Sequence, residues 1–102
     1  MKPVTVINRL VIKPGKMDEF IDAQRNFAAT LMQKPTGLVG GRMYRGSDGT
    51  SAVLVSQFES QSAQEEIRRS DAFKQHVNGL QVLIESASPS LYEEAYTTGG
   101  FK

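Results

Sequence analysis

No cysteine occurs anywhere in the 102 residues, which removes disulfide scaffolds, thiolate metal sites and thiol catalysis at once. Tryptophan is also absent, and a single histidine, His76, rules out a His-rich metal cluster. Charge of one sign is lacking too: 12 Lys+Arg face 11 Asp+Glu, a net charge of +1 with the signs interspersed. No broad basic field is therefore available for nucleic acid. The longest apolar run is Ala52 to Val55, far short of the ~20 residues that span a bilayer. Met1-Lys2-Pro3 leads straight into a strand-like segment, so no cleavable leader and a reduced, cytoplasmic setting are expected.

What is present suits one globular domain over residues 1–102. A chain of this length closes a single core, and 39% apolar against 23% charged residues is ordinary for a folded domain. Val4 to Ile12 is β-branched and apolar on both faces, the pattern of a central strand covered twice. Asn8 and Arg9 interrupt those faces. Lys13-Pro14-Gly15-Lys16 breaks the strand. Met17, Phe20, Ile21, Gln24, Phe27, Ala28 and Leu31 then fall at spacings of three and four, predicting an amphipathic helix over 17–34. Pro35-Thr36-Gly37 ends it. Leu38–Arg45 and Ser51–Phe58, joined by Gly46-Ser47-Asp48-Gly49, form a hairpin whose first strand is weakened at Gly40-Gly41, a bulge or close-approach signal.

Ser60 and Ser62 compete to cap a second helix, Ser62-Ala63-Gln64-Glu65 having capping-box spacing. That helix pauses near Ser70-Asp71 and resumes through Phe73, Val77 and Leu80. Pro89 is expected to precede a final strand, Ser90–Thr97, and residues 97–102 to be a loose tail. The order β-α-β-β-α-β is the ferredoxin-like α+β arrangement on an antiparallel sheet. Two helices cover one sheet face only. The other is expected to carry Ile7, Val11, Val39, Met43 and either Val53/Val55 or Leu54, a patch best hidden in a homodimer whose sheets pack face to face.

Six segments in this order resemble the antibiotic biosynthesis monooxygenase domain family of dimeric α+β barrels: Val6-Ile7-Asn8-Arg9-Leu10 with Lys13-Pro14-Gly15-Lys16 and Glu19-Phe20, then Pro35-Thr36-Gly37-Leu38, Gln57-Phe58-Glu59-Ser60, and Ser70-Asp71-Ala72-Phe73-Lys74. The resemblance implies a pocket in each subunit between helices and sheet for a flat, apolar or polycyclic ligand. Members include cofactor-free oxygenases of quinols or anthrones, and haem-degrading enzymes. The haem-degrading branch has an asparagine on the first strand, which Asn8 matches. Its tryptophan and histidine fall near Ile67 and Val77. Here the former is not tryptophan, and the histidine stands one residue away, about 100° around a helix.

The expected activity is thus oxidation of a phenolic or quinol-type aromatic by O2 with no metal or organic cofactor. Asn8 is the candidate oxyanion donor and His76 the candidate base, since its reference pKa lies near neutrality. Arg42, next to Gly40-Gly41, and Tyr44 are candidates to contact a ligand anion; Phe27, Phe58, Ile67 and Phe73 are candidates to hold its ring. Each residue also has a structural role open to it, Asn8 as a satisfied buried amide and the aromatics as core. The rival functions are a non-catalytic dimer binding aromatics in the same pocket and a haem-binding relative.

Overall fold

The β1 strand (Val4–Ile12) pairs antiparallel on both sides, with β3 (Ser51–Phe58) and with β4 (Ile84–Tyr92), as its two apolar faces require. This computed structural model describes residues 2–101, in the order β1, α1 (Met17–Met32), β2 (Leu38–Arg45), β3, α2 (Gln61–Arg69), α3 (Asp71–Leu80), β4. The sheet order is β2-β3-β1-β4, all antiparallel, the ferredoxin-like α+β arrangement with its second helical segment split in two.

The register sorts the side chains by face. Leu10 opposes Ala52 and Ala87, and Asn8 opposes Leu54 and Pro89. Leu10, Ile12, Phe20, Ala52, Leu80 and Leu83 form the buried core, so this parity faces the helices. Phe20 is fully buried and Leu10 is 1% exposed. The opposite parity carries Ile7, Val11, Val53 and Val55, flanked by Ser86, Ser88, Ser90 and the exposed Tyr92. Among the described residues no helix covers that face.

Two sequence expectations change here. A bulge between Leu38 and Gly40 inserts Val39 as an unpaired residue in β2. Because side chains alternate with period two, one extra residue reverses the faces beyond it. Met43, expected on the open face, therefore opposes Leu54 and packs against the core. The final strand is also earlier than expected, Ile84–Tyr92 rather than Ser90–Thr97. Pro89 does not begin the strand but sits inside it, which an edge position tolerates. Ser88 donates its N–H to Asn8 on the β1 side, so the next backbone nitrogen, that of Pro89, faces the outer rim and no ladder bond is lost.

Ser70 breaks the second helical segment with one hydroxyl. Its Oγ donates to the Ile67 carbonyl at 2.6 Å, closing α2, and accepts from Phe73 N–H at 3.2 Å, opening α3. The cap of α2 is Ser60, which accepts from Ala63 N–H at 3.1 Å, rather than Ser62. Gly37, at φ +90°, lets the chain pass against α2: a Cβ there would lie 2.6 Å from that of Ala63. Residues 93–101 form no helix or strand, and the Phe101 ring lies 5.3 Å from the Arg42 guanidinium. The expected tail over 97–102 ends on Lys102, outside the described residues. Among the described residues no helix is long and apolar enough to cross a membrane.

Candidate functional site

The helix-facing side of the sheet is packed at both ends and looser between them. At one end sits the Leu10–Phe20–Leu80 core. At the other, Phe58, Ala63 and Ile67 are buried where α2 meets β3. Between them the floor is built from Val6, Asn8, Leu54, Ser56 and Gly41, with Ser56 opposing Val6 and Gly41. Ser56 and Gly41 put little side-chain bulk on that part of the sheet. Gln24, Phe27, Phe73 and His76 project from the helices, and like Val6, Asn8, Leu54 and Ser56 they are only half-buried. This half-exposed stretch between the two packed ends is the candidate gap for a ligand.

The break at Ser70 decides what α3 contributes to that gap. Ile67 and His76 are nine residues apart, and at about 100° per residue one continuous helix would put them on opposite sides. With the helix restarted at Ser70, Ile67 is buried and His76 also turns inward, on a stripe with Phe73, Val77 and Leu80. The His76 ring lies flat on Phe27, with centroids 4.1 Å apart and planes 7° apart. Phe73 tilts against the far side of the cluster, 6.1 Å from Phe27. His76 Nε2 is hydrogen-bonded to Gln24 Oε1 across the α1–α3 seam. Burial holds the imidazole below its ordinary pKa of 6.5, so the ring is neutral at physiological pH.

Asn8 has divided duties. Its Oδ1 accepts the Ser88 N–H at 3.1 Å, tying β4 to β1 beside Pro89. Among the described residues Nδ2 donates to no partner, and it is not sealed from solvent. The gap offers a free amide donor on the floor and a neutral imidazole under the helices, beside the Ser56 hydroxyl and the Gln24 amide. No hydrogen bond between Asn8 and His76 exists among the described residues. The amide can serve an anion-stabilising contact and the imidazole a proton-accepting step on one ligand lying between the layers.

The structure separates the other candidates. Phe27 and Phe73 join His76. Phe58 and Ile67 are buried, at 7% and 8% exposure, in the packed end beneath α2 and wall the gap without opening onto it. Arg42 and Tyr44 lie on the uncovered face, Arg42 opposing Val55, and Arg42 donates to the Tyr44 hydroxyl at 3.2 Å. The bulge at Val39 is the reason, since it reverses the parity that would have aimed them inward. Gln24 is the residue that sequence reasoning passed over. Its signal was a polar side chain on an otherwise apolar stripe. Two surface depressions, of about 450 and 320 Å3, lie elsewhere; one is lined by Val4, Ser60 and Tyr92 and the other by Met32, Pro35 and Glu59. Neither includes Asn8 or His76.

Comparison with known proteins adds the following. A family model described as antibiotic biosynthesis monooxygenase matches residues 3–79. No curated protein matches the sequence. Among solved structures, SnoaB from Streptomyces nogalater, described as a cofactor-independent oxygenase, superposes with a TM-score of 0.84 at 23% identity, over 95% of this chain and 97% of that one. Rv0793 from Mycobacterium tuberculosis gives 0.80 at 18% identity, over 96% and 100%. PA3566 from Pseudomonas aeruginosa gives 0.79 at 15%, over 94% and 97%. At such identities the likeness is one of fold.

Proposed function

Because the chain belongs to the antibiotic biosynthesis monooxygenase family, we propose that it is a monooxygenase that oxidises a phenolic or quinol-type aromatic with O2 in the gap between helices and sheet, the substrate itself supplying the electrons. The observation that carries this reading is the neutral imidazole of His76, turned inward and stacked on Phe27, on the opposite side of the gap from the free amide donor of Asn8. Phe27 and Phe73 line the helical side against which a planar aromatic would lie. His76 takes the phenolic proton, and Asn8 Nδ2 stabilises the resulting anion. The electron-rich anion passes one electron to O2, and the radical pair joins as a ring hydroperoxide. Loss of water then leaves the carbonyl product: one oxygen atom enters the product and the other leaves as water, with O2 reduced by the four electrons the substrate carbon gives up.

The site as proposed belongs to Asn8, His76, Phe27 and Phe73. Phe58 and Ile67 support its end, while Arg42 and Tyr44 serve the uncovered face. That face, with Ile7, Val11, Val53 and Val55 at its centre, is proposed to be covered by a second copy of the chain.

A second reading is a dimer that binds an aromatic in the same gap without turning it over. It is favoured by the structural use of Asn8 Oδ1 and by the absence of a hydrogen bond joining Asn8 to His76 among the described residues. Oxygen uptake over a panel of anthrones and quinols separates the two. The oxygenase reading expects uptake by the wild type that falls in Asn8→Ala and in His76→Ala. Saturable binding with no uptake by any of the three proteins supports the second reading and overturns the first.

A further inference from the structure

A glutamine at position 24 has no reason to be there if α1 only packs. The stripe runs Phe20, Gln24, Phe27, Leu31, and an aliphatic residue would continue it at lower cost, because a half-buried amide must find partners. Its amide reaches across to α3 and meets one atom, Nε2 of His76. A carbonyl oxygen only accepts hydrogen bonds, so the shared proton belongs to Nε2. A neutral imidazole carries a single N–H, and its other nitrogen is therefore a bare lone pair. Phe27, one turn beyond Gln24 on the same stripe, lies parallel to the ring at 4.1 Å and fixes its plane. Gln24 and Phe27 together leave the imidazole neither free to rotate nor free to exchange tautomers.

We propose that Gln24 is a positioning residue that holds His76 as the Nε2–H tautomer and so makes Nδ1 the atom that takes the substrate proton. The assignment deepens the oxygenase reading and rests on it for the identity of the proton donor, but the tautomer itself does not depend on turnover. Without Gln24 the neutral ring divides its proton between both nitrogens, and the lone pair is presented at Nδ1 only part of the time. The position of the base atom then drifts by the width of the ring, a displacement that proximity catalysis does not tolerate.

The single histidine makes the test direct, because two-bond 1H–15N correlation spectra of untagged protein contain one imidazole. The wild type is expected to show a pyrrole-type nitrogen at Nε2 and a pyridine-type nitrogen at Nδ1. Gln24→Leu, which keeps the volume and removes the acceptor, is expected to average the two shifts. Gln24→Glu, which keeps an acceptor at the same place, is expected to restore the wild-type pattern. With a turned-over substrate, Gln24→Leu is expected to lose at least about tenfold in kcat with KM unchanged, within the roughly 10²–10⁴ that a placed base supplies, and Gln24→Glu to recover it. A wild-type spectrum with the proton on Nδ1, or a Gln24→Leu spectrum identical to the wild type, overturns the assignment. The expected spectra alongside no oxygen uptake would instead remove the oxygenase reading and leave the Gln24–His76 pair standing.

Discussion

Asn8 carries two separable loads, and substitutions at this one position can unload them independently. Oδ1 holds β4 to β1 through the Ser88 N–H, in water-accessible surroundings, so removing it costs about 0.5–1 kcal/mol, the lower half of the usual range for one hydrogen bond. With a urea dependence of roughly 1–3 kcal/mol/M for a domain of this size, Asn8→Ala lowers the unfolding midpoint by roughly 0.2–1 M. Loss of one donor aimed at a developing oxyanion costs about 10²–10³ in kcat. Asn8→Asp keeps an acceptor for Ser88 but replaces the Nδ2 donor with a carboxylate oxygen that repels an anion. Its urea midpoint is expected to stay near that of the wild type while its oxygen uptake falls at least as far as that of Asn8→Ala. Chemical denaturation followed by circular dichroism reads the first quantity and an oxygen electrode the second. An Asn8→Asp protein as active as the wild type would refute the donor role, and an Asn8→Ala midpoint unchanged from the wild type would refute the strand tie.

Ser70→Ala removes the hydroxyl that ends α2 and starts α3; a loss of about 1 kcal/mol in urea unfolding is expected, together with a changed His76 15N spectrum as α3 loses its fixed phase. Because burial lowers the pKa of His76, the folded chain binds fewer protons than the unfolded chain below pH 6.5. Stability is therefore complete above pH 6.5 and is lost as the pH falls from there through the lowered folded-state value; His76→Gln is expected to flatten this part of the urea-midpoint profile, and an unchanged slope would refute it. Val55→Glu plants a charge at the centre of the uncovered sheet face, so sedimentation is expected to show a dimer for the wild type and a single chain for the variant. Hemin tests the haem-binding alternative: the oxygenase reading expects no His76-dependent Soret shift, and a shift that His76→Ala abolishes would reassign that ring from base to ligand.

Those elements whose signal is local were legible in the sequence: the doubly apolar β1, the stripe of α1, the turn at Gly46–Gly49 and the pause at Ser70. The family resemblance is matched by the family model. What was misplaced has one cause each. The Gly40-Gly41 signal was open between a bulge and a close approach and did not say which residue would be extruded; with Val39 out of the ladder Met43 went to the core while Arg42 and Tyr44 went to the other face. Pro89 was read as a boundary because its tolerance depends on β4 being an edge strand, a property of the sheet order rather than of the neighbouring residues. The direction of His76 depended on whether Ser70 merely bends the helix or restarts it. Hydrogen bonding on both sides of one hydroxyl decides that, and spacing does not record it. Ala28, included in the α1 stripe, is exposed at its margin.

Pro89 has a further consequence at the rim of the sheet. A free strand edge normally invites a neighbouring chain to zip on, donor to acceptor, and to extend the ribbon without limit. On the outer side of β4 that zipper lacks a tooth, because the nitrogen facing outward there bears no hydrogen. Lateral growth is checked at this rim, while the broad bare side of the sheet stays free to stack. A chain that exposes so much β surface can thereby form a finite assembly without seeding a fibre.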